Sequence, residues 1–367
     1  MAQTQKLKHA IVGVGAGVLG MHRKALELPA VHLVGATDVN IEVGEARAAE
    51  LRCPFFESYE TLLAETSPDV VVVLTPHPFH AEITIACLNA GAHVLVEKPM
   101  AVSVAEADAM VAAADENGRH LAVNFQYRAR PEVRTAKQLL QRGDLGQLLH
   151  LDMTMAWPRT AVYYQGASWR ATWRGEGGGI LMNQAPHNLD LVGYFLGLPE
   201  RVVAWTRTRL HPIETEDTAQ AMLEFPDGTL GSLHISTAEA GRPERVELVG
   251  TAGTLQLGVK ELKLQHIEPD FRTFVKESDD PFGRPELRLE TLNLDTGEGD
   301  HVAVYQNLHD AILNSGELLA DGRQGRMSLE LANAMIYSSH TRSEVTLPLD
   351  RDAYSGLLET LSKGESP

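Results

Sequence analysis

Cysteine is nearly absent: Cys53 and Cys87 are the only two in 367 residues, with neither CxxC nor zinc-finger spacing. No disulfide framework or structural metal is expected, and both thiols read as small core residues. Positive charge is also scarce. The chain carries 32 Lys and Arg against 49 Asp and Glu, a formal net charge of −17. Such a chain gains nothing from counterion release on a nucleic acid and is repelled by an anionic lipid surface, so neither is an expected partner. No window reaches the ~20 apolar residues that span a bilayer. The opening MAQTQKLKHAIVGVG has no apolar core with a small-residue cleavage site. Internal repeats and low-complexity tracts are missing too. The apolar content of 44% and charged content of 22% suit a globular protein. The length exceeds one core, so two domains in a reduced, cytoplasmic setting are expected.

What is present begins with alternation. KHAIVGVG, VHLVGATD, DVVVVLTP, AHVLVEK and RHLAVNFQY read as strands. Between them lie helical patterns, including Ile41–Leu51, AEITIACLNAG closed by Gly91, and a segment capped by Ser103 with Glu106 three residues on. The run DVVVVLTP is apolar without alternation, as a strand buried on both faces requires. Strand–helix alternation implies a doubly wound parallel sheet, the Rossmann arrangement, over residues 1–125. From 126 to 367 the pattern changes. After the helix PEVRTAKQLLQRGDLG come alternating strands such as RVVAWTRTRL, TAQAMLEF, GTLGSLHIST, ERVELVG and GTLQLG. They predict an α/β domain with an open, mostly antiparallel sheet. Residues 266–300 are charged and weakly periodic and read as irregular connections, and two helices, AVYQNLHDAILNSG and SLELANAMIYSSHTR, close the chain.

The first strand runs into GVGAGVLGMH. Two registers are open. Gly15-x-Gly17-x-x-Gly20 is a literal GxGxxG; Gly13-x-Gly15 sits better at the strand end, with Val18 where the third glycine belongs and Leu19 after it. In either, glycines let the backbone approach a pyrophosphate at a helix N-terminus. Asp38 ends the second strand, where an acid bonds a ribose 2′-OH and repels a 2′-phosphate, and no arginine lies within three residues of it. NAD is therefore expected over NADP. A tight turn with Asp38 as a helix cap would use the same residues.

Two strand ends deliver Thr75, Pro76 and His80, and Glu97, Lys98 and Pro99, into the crevice where a doubly wound sheet binds ligands. A desolvated lysine exchanges protons near neutrality. Glu97 could orient it, and Lys98–Pro99 is a candidate cis bond. A surface lysine in a turn is the plain alternative. His77 and His80 are three apart, but no third ligand is identifiable and no metal is expected. Farther on, Gly177-Gly178-Gly179 opens a helical stretch that sets Asn183 and His187 on one face, with Pro186 inside it and Asp190 placed to orient the imidazole. A core histidine bonded to Asp190 fits the same pattern. Tyr163, Tyr164, Trp169, Arg170, Trp173 and Arg174 precede the glycines; they suit a polyhydroxylated or carboxylated substrate, or the packing of an irregular loop.

Together these segments resemble the Gfo/Idh/MocA oxidoreductase family. The resemblance spans nearly the whole chain: the glycine loop with His22 after it, Asp38, TPHPFHAEITIACLNAGAHVLVEKPMA, NFQYRARP with Gln126 and Arg128, the GDLG turn, GGGILMNQAPHNLD and SSHTRSEVTLPL. It implies NAD(P)-dependent hydride transfer at a carbon bearing oxygen, often on a sugar or inositol ring. It implies a second-domain sheet that packs against another subunit, hence a homodimer or homotetramer. The family's catalytic lysine falls on Lys98 and its histidine on His187, while Asn183 stands where an aspartate is usual. An asparagine can hold a hydroxyl but cannot relay a proton. The resemblance further implies cofactor contacts by Gly13, Gly15, Gly17, Val18, Leu19, Asp38, Thr75, Pro76, His80, Glu97, Lys98 and Gln126. Substrate contacts would come from Lys98, Arg128, Tyr163, Trp169, Arg170, Asn183 and His187. A regulator that senses NAD(P) or a sugar without catalysis, and a reductase of a non-sugar ring such as a dihydrodiol, are the alternatives.

Overall fold

The computed structural model describes residues 5–365 apart from 296 and 298. Its first sheet holds β1 (Leu7–Val12), β2 (Val31–Thr37), β3 (Phe55–Phe56), β4 (Val70–Val73), β5 (His93–Val96) and β6 (Leu121–Val123) in the order β3-β2-β1-β4-β5-β6. Every pairing is parallel. Helices α1 (Leu19–Leu26), α2 (Ile41–Leu51), α3 (Tyr59–Thr66), α4 (His80–Asn89) and α5 (Val104–Asn117) make the crossovers. The four valines of β4 are each 0% exposed, which explains their unbroken apolar run. Because β2 leaves β1 in one direction and β4 flanks it on the other, the strand order reverses between β1 and β4. Their carboxyl ends open a crevice there.

Helix α6 (Pro131–Arg142) leads into a nine-stranded sheet. Its strands are β7 (Leu148–Ala156), β8 (Arg201–Arg207), β9 (Thr218–Glu224), β10 (Leu230–Ser236), β11 (Arg245–Gly250), β12 (Gly253–Gly258), β13 (Glu261–Glu268), β14 (Glu286–Thr291) and β15 (Val345–Thr346). The order is β14-β13-β12-β11-β7-β10-β9-β8-β15, antiparallel except for β7–β10. Four helices lie between β7 and β8: α7 (Ala161–Gln165), α8 (Trp173–Glu176), α9 (Ile180–Asn183) and α10 (Pro186–Leu196). The last four are α11 (Phe271–Glu277), α12 (His301–Asn314), α13 (Gly322–Thr341) and α14 (Arg351–Ser362).

One apolar core runs from the β4–β5 face of the first sheet through α5 and α13 to the inner face of the second. A second core packs β1 and α1 against Val304, Tyr305 and Leu308 of α12, so the late chain returns to the first sheet. Residues 266–300, expected to be irregular, instead contain α11 and β14. Neither buries a residue fully, so neither needed an apolar pattern to form. Pro186, expected to kink a helix from within, is the first residue of α10 after α9 has ended, where its missing N–H costs nothing.

Candidate active site

The nucleotide end is built around Gly13. β1 stops at Val12, and Gly13 turns the chain with φ +92°. A Cβ there would lie 2.9 Å from Thr75 N, so glycine is needed where β1 and β4 diverge. A Cβ on Gly15 would lie 2.8 Å from Asp38 Oδ2, which accepts from Gly15 N–H at 2.7 Å, while Asp38 Oδ1 accepts from Asn40 N–H at 2.9 Å. Asp38 thus pins the loop to the end of β2. Gly20 lies inside α1, and its Cβ position meets nothing within 4 Å. The geometry therefore favours the register that starts at Gly13. Gly17, Val18 and Leu19 complete the loop, and no acid occupies the first turn of α1. Thr75 Oγ1 and Gln126 Oε1, both buried, have no hydrogen-bond partner among the described residues. This cradle and these unfilled groups fit a dinucleotide.

The reacting end follows β5. Lys98–Pro99 is cis. His80 spans the turns after β4 and β5, with Nδ1 2.8 Å from Pro99 O and Nε2 2.7 Å from Thr75 O; both are acceptors, so the nitrogen that carries the proton donates to its carbonyl and ties the two turns together. Glu97 does not hold the Lys98 ammonium. Its Oε1 is 2.9 Å from His22 Nε2 and accepts from Asn124 Nδ2, and its Oε2 accepts from the Lys98 backbone N–H at 3.2 Å. Burial pushes the Glu97 pKa up, but the His22 hydrogen bond, with the charges of His22 and Lys98, outweighs it and leaves the carboxyl well below the usual range. His22, Glu97 and His301 bring three potential ligand atoms within 4.8 Å of one another. Both nitrogens of His22 are already engaged, by Glu97 and by Tyr305 OH at 3.0 Å, so the cluster reads as a hydrogen-bonded support.

Lys98 Nζ donates to Asn183 O at 2.7 Å. Burial lowers the Lys98 pKa; Glu97 and Glu176 oppose the shift, and Arg170 and Arg159 add to it. His187 stacks on Tyr127 at 4.4 Å, its Nε2 is 3.4 Å from Gln126 Nε2, and its Nδ1 has no partner among the described residues. Burial, then the Lys98 charge, hold its pKa well below 6.5, so the imidazole is neutral. Asp190 does not orient it. That carboxylate is bidentate to Arg128, at 2.8 Å from Nε and 2.7 Å from Nη2. Arg128 also donates to Leu319 O and Gln324 and is 0% exposed, which removes it from the expected substrate contacts. The pair ties the chain after β6 to α10.

Asn183 is fully used. Its Nδ2 donates to Glu176, and its Oδ1 accepts from Tyr163 OH at 3.1 Å. Tyr163 OH in turn accepts from Arg170 and from Gln184 Nε2 at 3.0 Å. Trp169 lies 5.9 Å from the His77 ring. Of the other aromatics, Trp173 is buried against His340, and Tyr164 bonds Thr237. Arg174 is exposed. The glycine run lets this segment press inward: a Cβ on Gly179 would lie 2.0 Å from Glu216 O, whose side chain caps α9 by accepting from Gly179 N–H at 2.9 Å and Leu181 N–H at 3.1 Å.

Sequence reasoning missed Glu176. It is 1% exposed, and burial raises its carboxyl pKa. A lone acid among glycines gives no periodic signal; its neighbour Gly177, with φ +75°, was the available hint. Unpartnered buried atoms concentrate here, on Thr75, His77, Asn124, Gln126, Arg170, Gln184 and His187. Buried polar atoms are ordinarily paired, so such a cluster marks a place for a ligand.

Residues 7–125 match the oxidoreductase family with an NAD-binding Rossmann fold, and residues 133–256 match the GFO/IDH/MocA C-terminal domain. The levoglucosan dehydrogenase of Pseudarthrobacter phenanthrenivorans is 26% identical over 324 residues, covering 79% of this chain and 83% of that one. The trans-1,2-dihydrobenzene-1,2-diol dehydrogenase of Bos taurus is 32% identical over 204 residues, 55% of this chain and 58% of that one. The WlbA dehydrogenase from Bordetella pertussis, solved with NADH and UDP-GlcNAcA, superposes with TM-score 0.82 at 29% identity, covering 95% of this chain and 100% of that one. This chain belongs to the Gfo/Idh/MocA family of NAD-binding oxidoreductases.

Proposed function

We propose that this enzyme oxidises or reduces a carbon bearing oxygen on a sugar or related polyol, with Lys98 as the proton-transferring residue. The observation that carries the reading is the desolvated Lys98 ammonium, fixed on Asn183 O at 2.7 Å at the mouth of the crevice, beside a neutral His187 with a free nitrogen. The Gly13–Leu19 loop, Asp38, Thr75, Pro76 and Gln126 would hold the dinucleotide, with His80 and Glu97 supporting the turns beside it. When bound, it supplies the hydride acceptor or donor. Asp38 favours NAD over NADP, because its carboxylate repels a 2′-phosphate.

The two basic groups divide the work. His187, held far below 6.5, is a weak base and serves best by holding the substrate hydroxyl. Burial lowers the Lys98 pKa from its ordinary 10.5, toward neutrality, so Lys98 takes the hydroxyl proton in oxidation and returns it in reduction. Its ammonium also stabilises developing negative charge on the oxygen, which burial makes more effective. Asn183 holds Lys98 through its carbonyl and joins Glu176 to Tyr163 through its amide; it moves no proton itself.

The domain division near 125/126 is part of this proposal, with α12 returning to the first domain. So is a homodimer formed through the open face of the second sheet, where Trp205, Met222 and Leu230 are 54%, 49% and 48% exposed. The free thiols Cys53 and Cys87 suit a reducing, cytoplasmic setting.

The test is a fluorescence titration with NADH and NADPH, then nicotinamide absorbance against sugars, inositols, sugar acids and a dihydrodiol. NADH binding with turnover of a polyol supports the reading. Turnover of the dihydrodiol alone would move the substrate to a non-sugar ring, and cofactor binding without turnover would point to a sensor.

A further inference from the structure

Two guanidinium groups at the mouth of the site form no ion pair with an acid among the described residues. Arg159 follows β7, and its backbone N–H donates to Thr237 O at 3.1 Å. Its guanidinium lies 5.2 Å from the Tyr163 ring centre and 5.8 Å from that of Trp157. Arg170 lies 4.3 Å from the Tyr163 centre and 5.1 Å from that of Trp169. Their side-chain hydrogen bonds go to neutral oxygens, Pro158 O and Tyr163 OH, and the buried Nε of Arg170 has no partner.

Glu176 lies close enough to feel the Arg170 charge, but its hydrogen bonds go to Asn183 and the Ala171 N–H, not to a guanidinium. Glu244 accepts from Trp157 Nε1 at 2.9 Å and Asn188 Nδ2 at 2.8 Å. Both arginines lie close enough to Lys98 to depress its pKa, so three cations meet in one cleft, with Glu97 and Glu176 as the acids that act on Lys98 there. This occurs in a chain whose net charge is −17, where acids are plentiful. Contact with the Tyr163 ring holds both guanidiniums in place, and each carries more N–H groups than its hydrogen bond to Pro158 O or Tyr163 OH uses, so donors remain for a planar or tetrahedral oxyanion.

We propose that the substrate carries an anionic group, a carboxylate or a phosphate, and that Arg159 and Arg170 receive it while Lys98 and His187 address the reacting hydroxyl. This rests on reading the site as a polyol oxidoreductase and adds the charge of its substrate. A neutral polyol would leave both guanidiniums without an ion-pair partner in a half-buried cleft.

The experiment uses matched pairs with the intact enzyme: glucose with glucuronate, galactose with galacturonate, and glucose with glucose 6-phosphate. Oxidation is followed with NAD, and binding to the NADH complex by calorimetry. The expected result is that at least one anionic member exceeds its neutral partner by about ten- to a hundredfold in kcat/KM, the effect of a charged hydrogen bond. The advantage should shrink as salt is added. The uronates and the 6-phosphate separate carboxylate from phosphate. R159Q and R170Q should each bring the ratio toward one, whereas R174Q, on the exposed side of α8, should leave it unchanged; thermal melts check that each variant is folded. Neutral members oxidised as well as the anionic ones, or a preference surviving both substitutions, would overturn the inference while leaving the polyol reading intact. NADH binding with no member of any pair bound or oxidised would overturn both.

Discussion

Glu176→Gln should move the pH dependence of the reaction toward acid. Glu176 and Glu97 are the two carboxylates that favour the charged form of Lys98. Asn183 stands between Glu176 and the ammonium, touching one with its amide and the other with its carbonyl. Opposite charges with one residue between them, at an effective dielectric of ~20, attract by on the order of 2 kcal/mol. Glutamine keeps the volume and one acceptor but removes the charge. The ammonium then loses that support, and the Lys98 pKa falls further below 10.5. The amine form appears at lower pH, so the acid limb of kcat/KM for oxidation shifts to lower pH, and for reduction the loss of the ammonium donor also begins at lower pH. The assay is the pH profile of kcat/KM in both directions, beside a thermal melt. A purely structural Glu176 would lower Tm and leave the limb in place. An unmoved limb would mean that Glu176, whose pKa burial raises, is already neutral where Lys98 titrates, and an alkaline shift would mean that its charge does not support the ammonium; either result rules the coupling out.

Other outcomes follow from the same geometry. Gly13→Ala forces a side chain into a backbone with φ +92° against Thr75 N and should weaken NADH binding at least about tenfold, about 1.4 kcal/mol. Gly20→Ala, inside α1 with open space around it, should leave binding unchanged and stabilise the fold slightly, by about 0.5–1 kcal/mol. Asp190→Asn leaves the Arg128 charge buried and unpaired and should cost about 3–5 kcal/mol by denaturant titration, without moving the pH profile, because Asp190 does not touch His187. His9, buried at β1 against His309, has its pKa lowered by burial from 6.5 to about 4. The unfolded chain therefore binds a proton that the folded chain refuses, so stability falls as pH drops from about 6.5 to 4, by about 3 kcal/mol for this group. His9→Gln should flatten Tm against pH in that window.

The parallel sheet was legible because its strands are buried on both faces and so carry long β-branched runs, as Val70–Val73 does. Lys98 and the Gly13 loop were legible because a doubly wound sheet places its chemistry at strand ends. The antiparallel strands from Arg201 to Gly258 showed their alternation because one face is dry and the other wet. β14 was hidden because it is an edge strand with no fully buried face, and its Leu287 and Leu289 are 56% and 60% exposed. The partner of Asp190 was misread because local spacing favoured His187, three residues away, over Arg128, 62 residues away. Glu176 was invisible for the same reason, since its role depends on Lys98, brought to it only by folding.

The most direct test of the account is Lys98→Ala, comparing the NADH dissociation constant with turnover on a substrate the parent enzyme oxidises. The account predicts a fall in kcat of about 10²–10⁴, the usual worth of a positioned acid–base group, with NADH affinity changed by no more than a few-fold. Turnover near the parent rate would contradict it and remove Lys98 from the chemistry.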